Sequence, residues 1–185
     1  MRAFVAVLPP AGVVEHLDDF LAVRREAAEL RWSAPEQWHV TLAFAASLPE
    51  RSLDQLEELL AAAAGRRASF EMLVAGGGAF PHPDAARVLH AGLEVDDDAG
   101  LDRLAAACRA AVSRAGGRVD GQRFRPHLTL ARLGRPANVT SWVRVLDTYA
   151  GPRWQVTEVA LVASHLGEGP RRGPRHEVVA TFPLG

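Results

Sequence analysis

The chain has 185 residues, 48% of them apolar and 23% charged, with a formal net charge of −1. That is a globular profile with chain enough for one domain or two small lobes; it lacks the basic excess of a nonspecific nucleic-acid surface, and no run approaches the ~18 apolar residues of a membrane span. All 21 basic residues are Arg, which removes lysine Schiff bases, lysyl-nucleotide intermediates and a P-loop lysine from the available chemistry.

The N-terminal MRAFVAVLPP holds an apolar run too short for a signal peptide and reads as a strand over Met1–Leu8 that ends at Pro9-Pro10. The single Cys108 permits no intramolecular disulfide, and a cytoplasmic location is expected. Val13, Val14, Leu17, Phe20 and Leu21 follow helical spacing through about Glu29. Arg31–Ser33 reads as a short strand, and Pro35-Glu36-Gln37 as a turn feeding a strand over 38–44. Ser52 is placed to cap a helix marked by Leu53, Leu56, Leu59, Leu60 and Ala63. Phe70, Met72 and Val74 predict a strand ending at Gly76-Gly77-Gly78, followed by a loop with Pro81 and Pro83 and a strand over Arg87–Leu93. Asp96-Asp97-Asp98 precede the apolar stripe Leu101, Leu104, Ala105, Cys108, Ala111 and Val112, so they read as acids complementing a helix dipole rather than as metal ligands. Gly116-Gly117 ends that helix, and Pro126 should open a strand over 126–132, since proline cannot donate to a ladder. A short helix over Val139–Thr148, a long strand over Trp154–His165 and a last strand over Arg175–Pro183 complete the chain.

Two of these strands repeat one another. WHVTLAF places His39 and Thr41 on one face and Val40 and Leu42 on the other. FRPHLTLARL places His127, Thr129 and Ala131 on one face and Leu128, Leu130 and Arg132 on the other. The histidines lie 88 residues apart, each motif is followed by helix, strand, Gly/Pro loop and strand, and the offset holds along the chain. This predicts an internal duplication: one α+β domain over 1–185 in two pseudo-symmetric lobes, with two largely antiparallel sheets lining a central cleft and helices outside. A monomer is expected.

The pattern has a chemical meaning. Cleaving a phosphoester without a covalent intermediate needs a base for the attacking oxygen and an acid for the leaving oxygen, and imidazole serves either role near neutral pH. One histidine from each strand could flank the phosphorus while Thr41 and Thr129 hold its non-bridging oxygens. Arg118, Arg123, Arg125, Arg132 and Arg135 cluster around His127 in sequence and offer charge at the rim. Phe44, Trp32, Trp38 and Phe124 flank the motifs and could stack a base. Neither motif strand carries Asp or Glu, and no metal-ligand spacing occurs, so neither metal nor cofactor is expected.

Paired H-x-T motifs in a duplicated fold resemble the two-histidine phosphoesterase superfamily. FVAVLPP, WHVTLAF, FRPHLTLAR and the ending EVVATFPLG resemble its RNA 2′,3′-cyclic phosphodiesterase branch, once named for 2′-5′ RNA ligase activity, along essentially the whole chain. The resemblance implies that His39 protonates the departing 3′ oxygen, that His127 activates water, that Thr41 and Thr129 hold the phosphate, and that the product is a 2′-phosphate end. Arg125, Arg132 and Phe44 are further candidate substrate contacts. The implied partner is RNA ending in a 2′,3′-cyclic phosphate, with reverse 2′-5′ ligation open to the same residues. A small cyclic-phosphate nucleotide of the ADP-ribose type, or noncatalytic binding of RNA ends, are the alternatives. Two positions depart from the family pattern: His176 stands where members often carry an aromatic residue, and His90 where many carry Trp.

Overall fold

A computed structural model describes residues 1–26 and 30–185. The first strand, β1 (Ala3–Val7), is wholly buried and leads through Pro9-Pro10 into α1 (Ala11–Arg25). Pro10 suits the entry because its carbonyl accepts from the amides of both Val13 and Val14. The expected extension of α1 to Glu29 lies outside the described residues. After β2 (Arg31–Trp32), one turn of 3₁₀ helix over Pro35–Gln37 precedes β3 (Val40–Ala45). Helix α2 (Leu53–Gly65) buries Leu56 and Leu60 of the expected stripe together with Ala64, while Leu53, Leu59 and Ala63 are half-buried. Ser52 occupies the capping position without a side-chain cap, since a 3₁₀ turn over Glu50–Ser52 already leads the chain in and bonds the Ser52 amide to Pro49.

Strands β4 (Phe70–Phe80) and β5 (Ala86–Val95) form a hairpin. The three glycines do not end β4. Gly76 takes φ +72°, the ladder shifts register between Val74 and Gly77, and the strand runs on to Phe80. A side chain at Gly77 would sit 2.5 Å from Leu146 Cβ, so glycine there permits close packing of a helix. Asp97 caps α3 (Asp98–Arg114) by accepting from the Gly100 amide at 2.8 Å, and Asp96 accepts from the Glu71 amide. The acidic triplet is thus structural, as read. Cys108 is buried in α3, and burial pushes its thiol up to about 12.

The ladder of β6 (Leu128–Ala137) starts just after His127 rather than at Pro126, and α4 (Thr140–Leu146) follows. The predicted long strand over Trp154–His165 is two: β7 (Trp154–Val156) pairs with β4, and β8 (Glu158–His165) pairs with β1 and with β9 (Arg175–Pro183). The break falls at Thr157, where the chain crosses from one half of the molecule to the other.

All pairings are antiparallel, and the strand order is β7-β4-β5-β6-β3-β1-β8-β9, with β2 added on β6. The two expected sheets are joined into one curled path by a single pair, Val40 with Leu128. Outward from that pair each half reads alike. Helices α2 and α3 cover the outer face of β3-β1-β8-β9, where Leu42, Val5, Leu60, Leu104 and Leu161 meet. Helices α1 and α4 cover the outer face of β6-β5-β4, where Leu17, Leu21, Leu89, Leu130 and Leu146 meet. Each such fully buried leucine contributes roughly 1.5–3 kcal/mol of burial free energy. The inner faces are left to line a cleft. No described helix is long and apolar enough to cross a membrane.

Candidate active site

The site begins with the central pair. Val40 and Leu128 point into the two cores, so their neighbours along each strand point inward. The antiparallel register of that pair sets His39 across from Thr129 and Thr41 across from His127. Both histidines and both threonines are half-buried at the cleft floor.

The two imidazoles are held alike. His39 Nδ1 lies 2.7 Å from the Gln37 carbonyl, and His127 Nδ1 lies 2.7 Å from the Arg125 carbonyl. A carbonyl only accepts, so each Nδ1 carries the hydrogen and donates it. Each Nε2 is left as the position where a proton comes and goes. The 3₁₀ turn before β3 presents the Gln37 carbonyl; the segment through Pro126 presents that of Arg125.

A matched irregularity shapes the next turn of each strand. On β3, Ala43 pairs with Val5 and Thr41 with Ala6, leaving Leu42 extra. On β6, Ala131 pairs with Leu89 and Thr129 with His90, leaving Leu130 extra. A bulge inverts the alternation beyond it. Arg132, expected with Leu128 and Leu130, instead pairs with Val88 and shares the face of His90 and Thr129. Phe44 likewise pairs with Phe4 and packs inside the cleft with Phe4 and Ala6, with the Arg2 guanidinium 4.6 Å from its ring centre.

Around the motif histidines lie more rings than the sequence suggested. Phe4 stacks on His39 at 4.4 Å, and His176 meets His39 edge-on at 5.6 Å. Phe80 meets His127 at 4.8 Å, and His90 lies 5.1 Å from it. Both positions that depart from the family pattern therefore flank the motif pair. His90 has its place because Gly78 opposite lacks a side chain; a Cβ there would lie 2.6 Å from its ring. Phe4 and Arg2 carry no signal in the sequence beyond lying in the predicted first strand, and Phe80 none, since the predicted strand ends before it.

The electrostatics favour neutral rings in the free site. Burial foremost, then the neighbouring His176, His127 and Arg132, lowers the His39 value to about 4 against the bond to Gln37. Burial and Arg132 lower His127, against the bond to Arg125. Burial and His127 lower His90 to about 4.

The remaining candidates divide. Arg125 is exposed at the rim, 5.9 Å from the Phe80 ring centre. Trp38 is buried in the core, Trp32 packs on Trp142, and Phe124 packs against the α2–α3 core, so these three aromatics serve packing rather than the cleft. His165 bonds Glu177 at 2.9 Å, His16 bonds Tyr149, and His82 pairs with Asp84. Among the described residues no group of three His, Cys, Asp or Glu could hold a metal ion. A groove of about 830 Å³ beside α3 is lined by Arg109, Arg123, Phe124 and Arg125 and contains neither motif histidine.

Comparison with known proteins places this geometry. The family model described as the 2′-5′ RNA ligase superfamily matches residues 9–168. A Thermus thermophilus protein named RNA 2′,3′-cyclic phosphodiesterase is 34% identical over 100% of this chain and 90% of its own. One of the same name from Archaeoglobus fulgidus is 32% identical over 98% and 99%. One from Geobacillus stearothermophilus is 31% identical over 83% of this chain, which spans 47% of that protein. The crystal structure of TT0787 from Thermus thermophilus superposes with a TM-score of 0.80 at 33% identity, covering 100% of this chain and 98% of its own. Apo E. coli LigT shares the fold with a TM-score of 0.77. With its motif pair on one cleft face and its family model matched along most of its length, the chain belongs to the 2′-5′ RNA ligase superfamily.

Proposed function

We propose that the protein hydrolyses RNA 2′,3′-cyclic phosphate ends to 2′-phosphate ends by paired-histidine acid–base chemistry, as one domain of two duplicated lobes. The observation that supports this reading is the register of Val40 with Leu128, which sets His39 opposite Thr129 and Thr41 opposite His127 on one cleft face, each imidazole with no Nε2 partner among the described residues. The relatives' shared name supports the substrate class.

Phosphate oxygens accept hydrogen bonds from the Thr41 and Thr129 hydroxyls, and Arg132 supplies the opposing charge. His127 Nε2 takes a proton from water as its oxygen bonds to phosphorus. The bond from phosphorus to the 3′ oxygen breaks opposite, and His39 Nε2 gives that oxygen a proton. The free site holds both rings neutral, and the bound anion raises His39 so that it enters the reaction charged.

The test is an oligoribonucleotide ending in a 2′,3′-cyclic phosphate, assayed in excess chelator. Turnover to a 2′-phosphate end is expected, with His39→Ala and His127→Ala each losing about 10²–10⁴ in rate. Abolition by chelator, or full activity in either variant, refutes the mechanism. Turnover of cyclic mononucleotides alone would move the substrate to the small-nucleotide class.

A further inference from the structure

We propose that His176 is a proton relay that reloads His39 as each new substrate binds, an inference that rests on the paired-histidine hydrolysis above. Each turnover leaves His127 with a proton gained from water and His39 without the one passed to the 3′ oxygen. His39 must regain a proton before it can act again. Its Nδ1 is committed to the Gln37 carbonyl, so the proton must arrive at Nε2. One face of its ring is covered by Phe4, stacked at 4.4 Å with an interplanar angle of 22°.

The titratable group that meets this ring is His176, edge-on at 5.6 Å and 78°. It is half-buried and so touches both the ring and water. The spacing is held from two sides. Gln37 bonds His39 through its carbonyl and donates from Nε2 to the Pro174 carbonyl at 2.7 Å, two residues before His176. Phe4 meets His176 edge-on at 5.0 Å while stacking on His39.

The surrounding charges suit a relay. Its strand neighbours are engaged elsewhere: Arg175 with Glu168 and Glu177, and Glu177 with His165. Burial, and after it the Arg2 charge, hold His176 below the ordinary histidine value. A proton on His176 is held loosely, and it can pass to His39 once the bound anion has raised that ring. Facing His39 from the other half are His127 and Arg132. In the step, His176 imidazolium gives an N–H proton through one water to His39 Nε2, becomes neutral, and takes a replacement from solvent or buffer acid. A phenylalanine could fill the same space but carry no exchangeable proton.

The experiment compares wild type, His176→Phe and His176→Trp, neither of which can accept and pass on a proton, on an oligoribonucleotide 2′,3′-cyclic phosphate, with thermal melts to verify folding. Both variants keep a ring against Phe4. At about pH 8 in dilute buffer, kcat is expected to fall roughly tenfold with KM within about twofold of wild type, and added imidazole to restore it. Near pH 5.5 the three proteins should converge, because abundant solvent acid then reloads His39 directly. Wild-type kcat in both variants at the higher pH, or a loss that imidazole leaves untouched, overturns the relay alone. A wild type that never turns the RNA over removes the hydrolase reading and the relay with it.

Discussion

At the scale of single residues, Arg132 has two effects that pull on different measurements. Its charge lowers both His39 and His127, and it shares the cleft face of His90 and Thr129. Under the proposed mechanism, the profile of kcat/KM against pH reports the free enzyme, with one limb where His127 becomes charged and the other where His39 loses its proton. Both rings lie below the ordinary value near 6.5, so the bell is expected on the acid side of it. Bound phosphate opposes that shift, and the kcat profile should lie at higher pH. Arg132→Ala should move the kcat/KM bell upward in pH while raising KM roughly tenfold through the lost charge-assisted bond. Steady-state profiles of the two proteins decide it; an unmoved bell with unchanged KM would remove Arg132 from the site. His39 and His127 were legible because two rare strings recurred with a constant offset. Arg132 was legible as a residue but not by its direction, because an inserted Leu130 looks like any other strand leucine.

At the scale of elements, the bulges and glycines decide which side chains reach the cleft. Sequence alternation located β3 and β6, and helical spacing located α2, α3 and α4. It failed where tertiary pairing overrides local pattern. The run from Trp154 to His165 is uniformly strand-like, yet it divides at Thr157 because β4 takes one part and β1 the other. The Gly76-Gly77-Gly78 run looks like a terminator, yet β4 passes through it, with Gly76 at positive φ and the other two glycines making room for side chains of neighbouring elements. Gly78 answers His90, and Gly77 answers α4. Gly78→Ala should therefore destabilise by about 1–3 kcal/mol through the clash with the His90 ring. Adding His90→Ala should recover part of that loss, since the clashing ring is gone. Gly77→Ala meets Leu146 instead, and His90→Ala should not help it. Urea denaturation of the three singles and two doubles measures the coupling; equal coupling in both pairs would contradict the assigned contacts.

At the scale of the whole molecule, two sheets joined by one residue pair depend on a floor of buried, uncharged imidazoles. Burial lowers His39 and His90 to about 4, whereas an unfolded chain would hold each near 6.5. Below the higher value the unfolded state binds protons that the native state refuses, so acid favours unfolding. The contribution is present in full above pH 6.5 and is lost as pH falls through about 4. For His39, beneath the Phe4 ring, it amounts to no more than about 3 kcal/mol. Urea midpoints should fall steeply between neutral pH and about pH 4.5. His39→Phe replaces the titrating ring with one that can still stack on Phe4, so its midpoint should depend less on pH than that of wild type. Inorganic phosphate should act in the opposite sense, raising the midpoint most where the rings are half protonated, because a bound anion stabilises the charged imidazoles in the native cleft. Parallel pH dependences for wild type and His39→Phe would mean that carboxylates elsewhere govern acid unfolding, and that the cleft floor is not where the two halves are sensitive to protons.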